Sequence, residues 1–147
     1  MVKWLIANSS RLILALVLIF SGIVKLIDPH GTEYKIEDYA LSFGVSEFLP
    51  IYAPLVLAIA LAMFEFCMGV NLLFVINRRL TSTLVLIFLT IFTPFTLYLA
   101  IENPVHDCGC FGDAWKLTNW QTFIKNVILL TSAIIMTMYH KLQSRLI

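Results

Sequence analysis

Four apolar runs, each close to 20 residues long, decide what this chain can fold into. A helix needs about 20 apolar residues to cross the hydrocarbon core of a bilayer. The runs lie at about 5–27, 51–76, 80–101 and 120–140. With 60% hydrophobic and 13% charged residues, the chain has too little polar surface for a soluble domain of this length. In hydrocarbon, backbone groups must be satisfied within the segment, so each run predicts a helix. The expected fold is all-α: an integral membrane four-helix bundle forming one domain over 1–147. The six glycines and five prolines are scattered and form no linker. A net charge of +1 gives nucleic acid no reason to bind.

Local signals refine the spans. Arg11 sits near the start of the first, where a long cationic side chain can snorkel to the headgroups. No small-x-small cleavage site follows Ile27, so this span is expected to stay as an anchor. Pro94 lies inside the third span and should kink it. Thr118 followed by Gln121 reads as a capping box opening the fourth. Between the first two spans, Ile36, Tyr39, Ala40 and Phe43 recur at helical spacing and stop at Gly44. They predict a short amphipathic helix lying on the membrane or the bundle.

Orientation follows from the cations. Lys3, Arg11, Arg78, Arg79, Lys141 and Arg145 fall on one side of the four spans. The positive-inside rule makes that side cytoplasmic, with both termini inside. The other side receives 28–50 and 102–119, which hold eight of the nine acids: Asp28, Glu33, Glu37, Asp38, Glu47, Glu102, Asp107 and Asp113. In a bacterium this is the inner membrane, with the second loop in the periplasm, where disulfide chemistry is possible.

That loop carries the densest chemistry, NPVHDCGCFGD at 103–113. A disulfide needs Cα atoms roughly 4.4 to 6.8 Å apart, which an i, i+2 pair meets only in a compact turn. Gly109 supplies the backbone freedom. A bond between Cys108 and Cys110 would be strained, hence oxidising, and better suited to accepting electrons than to stapling the chain. His106 and the start of the fourth helix favour a thiolate; Asp107 and Asp113 oppose it. Three readings stay open: a redox pair, free thiols in a tight loop, or a metal site using His106, Asp107, Cys108 and Cys110 with His30. Paired zinc ligands are usually two to four residues apart, so no metal is expected. Cys67, in the middle of the second span, reads as a buried structural cysteine.

Glu65 is the acid within a span. A carboxyl in the bilayer is costly unless paired, and by default marks a functional site. Lys25 is its first candidate partner. With Lys125, beside Asn126, the two could form an ion-paired cluster in the outer third of the bundle. Such a cluster either locks the helices together or handles protons for a redox centre.

FSGIVKLIDP at 20–29, EYKIEDYAL at 33–41, FEFCMGVNLL at 64–73, DCGCFGD at 107–113 and the KN of 125–126 together resemble the DoxX-like superfamily, within it the MauE (methylamine utilisation) branch. The resemblance covers nearly the whole chain. It implies a four-helix membrane protein with the CGC loop outside, linked to maturation of methylamine dehydrogenase, whose small subunit is rich in disulfides. It also implies a thioredoxin-like partner, and DoxX relatives add a link to quinone. The family pattern falls on Lys25, Asp28, Tyr39, Glu65, Cys108, Cys110, Phe111, Gly112 and Asn126. Where the family usually has arginine this chain has Lys125, which keeps the charge and loses the bidentate fork.

The expected function is therefore an inner-membrane thiol-disulfide oxidoreductase. Cys108 and Cys110 would exchange with a periplasmic thioredoxin-like protein or a disulfide-containing substrate protein. Electrons would pass to a membrane quinone lined by Tyr39, Phe64, Phe111 and Trp120, near Lys125 and Asn126. Lys25, Glu65 and His106 would assist. A docking or assembly factor without catalysis, and a metal-handling membrane protein, are the alternatives. Homodimerisation is left open.

Overall fold

The computed structural model describes residues 1–102 and 118–139. These form five α-helices and one 3-10 turn, in the order α1 (Val2–Ile27), α2 (Pro29–Ser42), the turn Ser46–Phe48, α3 (Ala53–Phe74), α4 (Arg78–Glu102) and α5 (Asn119–Met138). α1, α3, α4 and α5 are long and apolar enough to cross a membrane. The chain is a multi-pass membrane protein, and each span lies within a few residues of its expected bounds.

Helix ends are where the sequence acts most directly. Asp28 ends α1 and starts α2: its carboxylate accepts from the Gly31 N–H at 3.2 Å, with Pro29 as the first residue of α2. This is the N-cap arrangement that the DP pair encodes. At the other end, Gly44 adopts φ +70°. Val45 N–H donates to Ala40 O and Gly44 N–H to Leu41 O, a Schellman closure. The amphipathic stripe thus belongs to a 14-residue helix that begins well before Ile36. The capping box forms as well: Gln121 N–H donates to Thr118 Oγ1 at 3.3 Å and Thr118 N–H to Gln121 Oε1 at 3.1 Å.

α1 is the spine of the bundle. It packs most extensively on α3 and also meets α5, which in turn packs along α4. Leu14, Ala15 and Leu18 of α1 join Leu72, Val85, Leu89, Leu129, Ala133 and Met136 in the apolar core. The α1–α3 seam is made close by two glycines. A β-carbon at Gly22 would lie 2.7 Å from Phe66 N, and one at Gly69 would lie 2.8 Å from Ile19 N. Small residues let membrane helices approach until their backbones nearly touch. α3 and α4, though joined by a tight turn, touch little.

Two expectations are corrected. Arg11 does not snorkel. It is 1% exposed, and its Nη1 donates to Leu72 O at 2.8 Å and Leu73 O at 3.0 Å, while Nη2 donates to Asn8 Oδ1 at 3.3 Å. The last carbonyls of α3 have no partners within their own helix and carry the negative end of its dipole, so a buried cation satisfies both needs. Cys67 is exposed on the outside of the bundle rather than packed within it. The buried stripe of α3 runs Ala58, Ala62, Glu65, Gly69, Leu72. Cys67 lies about 200° around the helix from Glu65, facing away from α1.

Gly69→Val should force α1 and α3 apart and cost about 1–3 kcal/mol, the usual range for overpacking. Thermal unfolding in detergent or nanodiscs should show a lowered midpoint, with Val70→Ala as a control outside the close contact.

Candidate functional site

The sequence places Ser21 and Lys25 four residues apart, hence on one face of α1. Both face α3 and meet Glu65. Lys25 Nζ donates to Glu65 Oε1 at 2.8 Å and Oε2 at 2.7 Å, and to Ser21 Oγ at 3.1 Å. Ser21 Oγ donates to Glu65 Oε2 at 2.6 Å. Lys25 and Glu65 are 3% and 5% exposed. The ammonium has three acceptor contacts, and both carboxylate oxygens accept, Oε2 twice and Oε1 once. A buried ion pair must be satisfied this fully to offset the loss of water around both charges.

A cavity of about 230 Å³ lies beside the pair. Ser21, Lys25 and Glu65 line it, and α5 adds Lys125 and Asn126. Asn126 is held by its Nδ2, which donates to Thr96 Oγ1 of α4 at 3.3 Å. Thr96 in turn donates to Thr93 O at 2.9 Å, within the turn that contains Pro94. Asn119 Nδ2 makes a second tie between these helices, donating to Leu99 O at 3.1 Å. Thus α5 is fixed to α4 by polar contacts at the same level at which α1 is fixed to α3.

α2 roofs the cavity with Thr32, Lys35, Ile36 and Tyr39, which share one helical face. Tyr39 meets Phe95 of α4 edge to face at 5.6 Å between ring centroids, and Phe43 stacks on Tyr98 at 5.7 Å. Thr32 is 5% exposed, and among the described residues its Oγ1 is buried without a hydrogen-bond partner. A buried hydroxyl lacking a partner is costly, and one on a cavity wall is a donor and acceptor ready for a ligand. The remaining wall is apolar: Phe88, Phe92 and Phe95 of α4 follow at i, i+4, i+7, among Val17, Leu18, Leu61, Leu89 and Leu129.

The residues named from sequence fall into three groups. Lys25, Glu65, Tyr39, Lys125 and Asn126 come together around this cavity. Phe64 stands behind the wall, its ring 5.3 Å from that of Phe88. Trp120 is 54% exposed at the start of α5, packs on Phe123 at 6.2 Å, and does not line the cavity. His106, Cys108, Cys110 and Phe111 lie outside the described residues. His30, considered as a metal ligand, is exposed and pairs its Nδ1 with Glu33 Oε2 at 2.6 Å. Sequence reading missed Ser21, Thr32, Lys35 and the phenylalanines of α4. The four-residue step from Ser21 to Lys25 and the regular spacing of the phenylalanines were available signals.

An apolar cavity with a few convergent polar groups is the usual form of a small-molecule site. An engineered cavity of roughly 150 Å³ holds benzene, so this one has room for a ring bearing oxygen substituents. Its polar side can donate hydrogen bonds from Thr32, Lys35 and Lys125. The carboxylate and ammonium of the ion pair can exchange a proton with whatever enters.

Glu65→Leu or Lys25→Met alone should destabilise the bundle by about 3–5 kcal/mol, because each strands a buried charge. The double variant should recover most of that loss. Unfolding midpoints of the three proteins in the same nanodiscs check this.

The model of the family described as methylamine utilisation protein MauE matches residues 3–139 of this sequence, nearly its whole length. The chain belongs to that family. No curated protein and no solved structure matches it.

Proposed function

From membership of the MauE family, which ties this membrane protein to methylamine utilisation, we propose that the chain is a thiol:quinone oxidoreductase serving disulfide formation in periplasmic proteins. The observation that carries the reading is the hydrogen-bonded Lys25–Glu65–Ser21 cluster on the wall of a ring-sized, largely apolar cavity. The cysteine pair in the following segment, Cys108 and Cys110, supplies the thiol chemistry.

A thiolate of a thioredoxin-like carrier, or of the substrate protein itself, attacks the Cys108–Cys110 disulfide. One cysteine then carries the mixed disulfide and the other leaves as a thiol. The partner's second thiol displaces the first, so the partner leaves oxidised and the pair is left as a dithiol. The dithiol gives two electrons and two protons to a quinone, which becomes the quinol, and the disulfide is restored. Lys25 gives a proton to a quinone oxygen and is reprotonated through the Glu65 carboxylate, which collects the two protons released by the dithiol one after the other, while Lys125 and Asn126 orient the ring.

Topology supports an outward thiol face. Lys3, Arg78 and Arg79 lie at the end of the bundle opposite α2. The positive-inside rule then puts α2, and the segment joining α4 to α5, on the periplasmic side of a bacterial inner membrane.

Cys108→Ser and Cys110→Ser, each in a Cys67→Ala background, should lower quinone reduction by a reduced thioredoxin-like protein to the uncatalysed rate. Unchanged turnover in both would overturn the reading. Glu65→Gln loses the charge and one acceptor oxygen, so the folded fraction is measured alongside; per folded molecule, turnover should slow by about 10²-fold or more, the typical contribution of a positioned proton-transfer group. A preparation that neither consumes thiols nor reduces quinone, yet captures a periplasmic partner, would replace catalysis by docking.

A further inference from the structure

The walls of the cavity differ in a way that reveals how it is reached. On the α1 and α5 side, Leu18, Ser21, Lys25, Asn126 and Leu129 are buried, with Val17 and Lys125 half-buried. On the α3 and α4 side, Glu65 and Leu89 are buried, while Leu61, Phe88, Phe92 and Phe95 line the same space and are only half-buried. The aqueous end is covered by α2, whose Tyr39 closes against Phe95. The cavity's thin wall is therefore the seam between α3 and α4. These are the two adjacent spans with the least packing between them. Phe64 of α3 meets Phe88 of α4 across the seam at 5.3 Å, and Phe88 continues along α4 to Phe92 at 4.5 Å. In a spanning bundle this face meets hydrocarbon.

We propose that the cavity is loaded sideways from the bilayer, through the α3–α4 seam, by a quinone with a long prenyl tail. The inference rests on the thiol:quinone reading and adds the route and pose. The ring lies inward against Lys25, Glu65 and Thr32, and the tail leaves between Leu61 and Phe88 into the lipid. Two features favour this occupant over a water-soluble one. The half-buried side chains along the α3–α4 wall, Leu61, Phe88, Phe92 and Phe95, are all apolar, whereas Ser21, Lys25, Glu65 and Asn126 are buried. Thr32, which lines the same cavity, has its Oγ1 buried without a partner among the described residues and offers the head a hydrogen bond. The flexible rings at the mouth can part for a chain of isoprene width, whereas the glycine-tightened α1–α3 seam cannot.

The test is photolabelling of the whole wild-type protein in nanodiscs. The probe is a ubiquinone-type ring with a farnesyl-length tail carrying a diazirine, used with and without excess tail-less ring. Labelled positions are then mapped by mass spectrometry. Labels within 61–64 and 88–92, suppressed by the tail-less ring, are the expected result. Suppressible labels on α2 or around Trp120 would overturn the sideways route while leaving a quinone in the cavity. Labels that the tail-less ring does not suppress would show that the cavity holds no quinone, and would overturn both the route and the reading it rests on.

Discussion

The ion pair between Lys25 and Glu65 is the constraint on which the rest of the bundle depends. In hydrocarbon neither charge can look to water, so each is stable only if the other is held in place. That requirement sets the rotation of α1 and α3, since only one face of each can present the pair. It sets their distance as well, because the side chains meet across a seam whose glycines allow near-contact of the backbones. The serine one turn below bonds to both members of the pair, and the arrangement leaves one flank of it open to the cavity.

The cavity follows from unequal packing. α1 is buried against two neighbours, and α5 is tied to α4 through Asn126 and Asn119. The helices thus make two well-joined pairs meeting along α1 and α5, with a weak line on the far side. α2 completes the enclosure at one end. The expected amphipathic helix does more than rest on a surface: its inward face contributes a hydroxyl, a lysine and a phenol ring to the site.

Much of this was legible in the sequence because it depends on local rules. Hydropathy gave the four spans, Thr118 and Gln121 the start of the last, and Gly44 the end of α2. A carboxyl within a span demanded a cation, and Lys25 was the nearest by level. What was not legible depends on which surfaces meet. Arg11 looked like a residue near a membrane surface, since nothing local says that the end of α3 arrives beside it with open carbonyls. Cys67 looked internal because it lies mid-span; its exposure follows from the narrow stripe of small residues that α3 turns inward. Trp120 belongs to an apolar, aromatic start of helix, and only the tertiary arrangement separates it from Tyr39.

Arg11 and Lys25 together have a mechanical consequence. They stand on the same helix, about 21 Å apart at 1.5 Å per residue, and each grips α3: one at its final carbonyls, the other at its buried carboxylate. Sliding or turning α3 against α1 would uncover charge at both grips at once. The two helices must therefore move as a single plate. A bundle so gripped has its least resistance to motion at the α4–α5 pair, which is joined to the plate chiefly along the α1–α5 contact, as a door is to its frame.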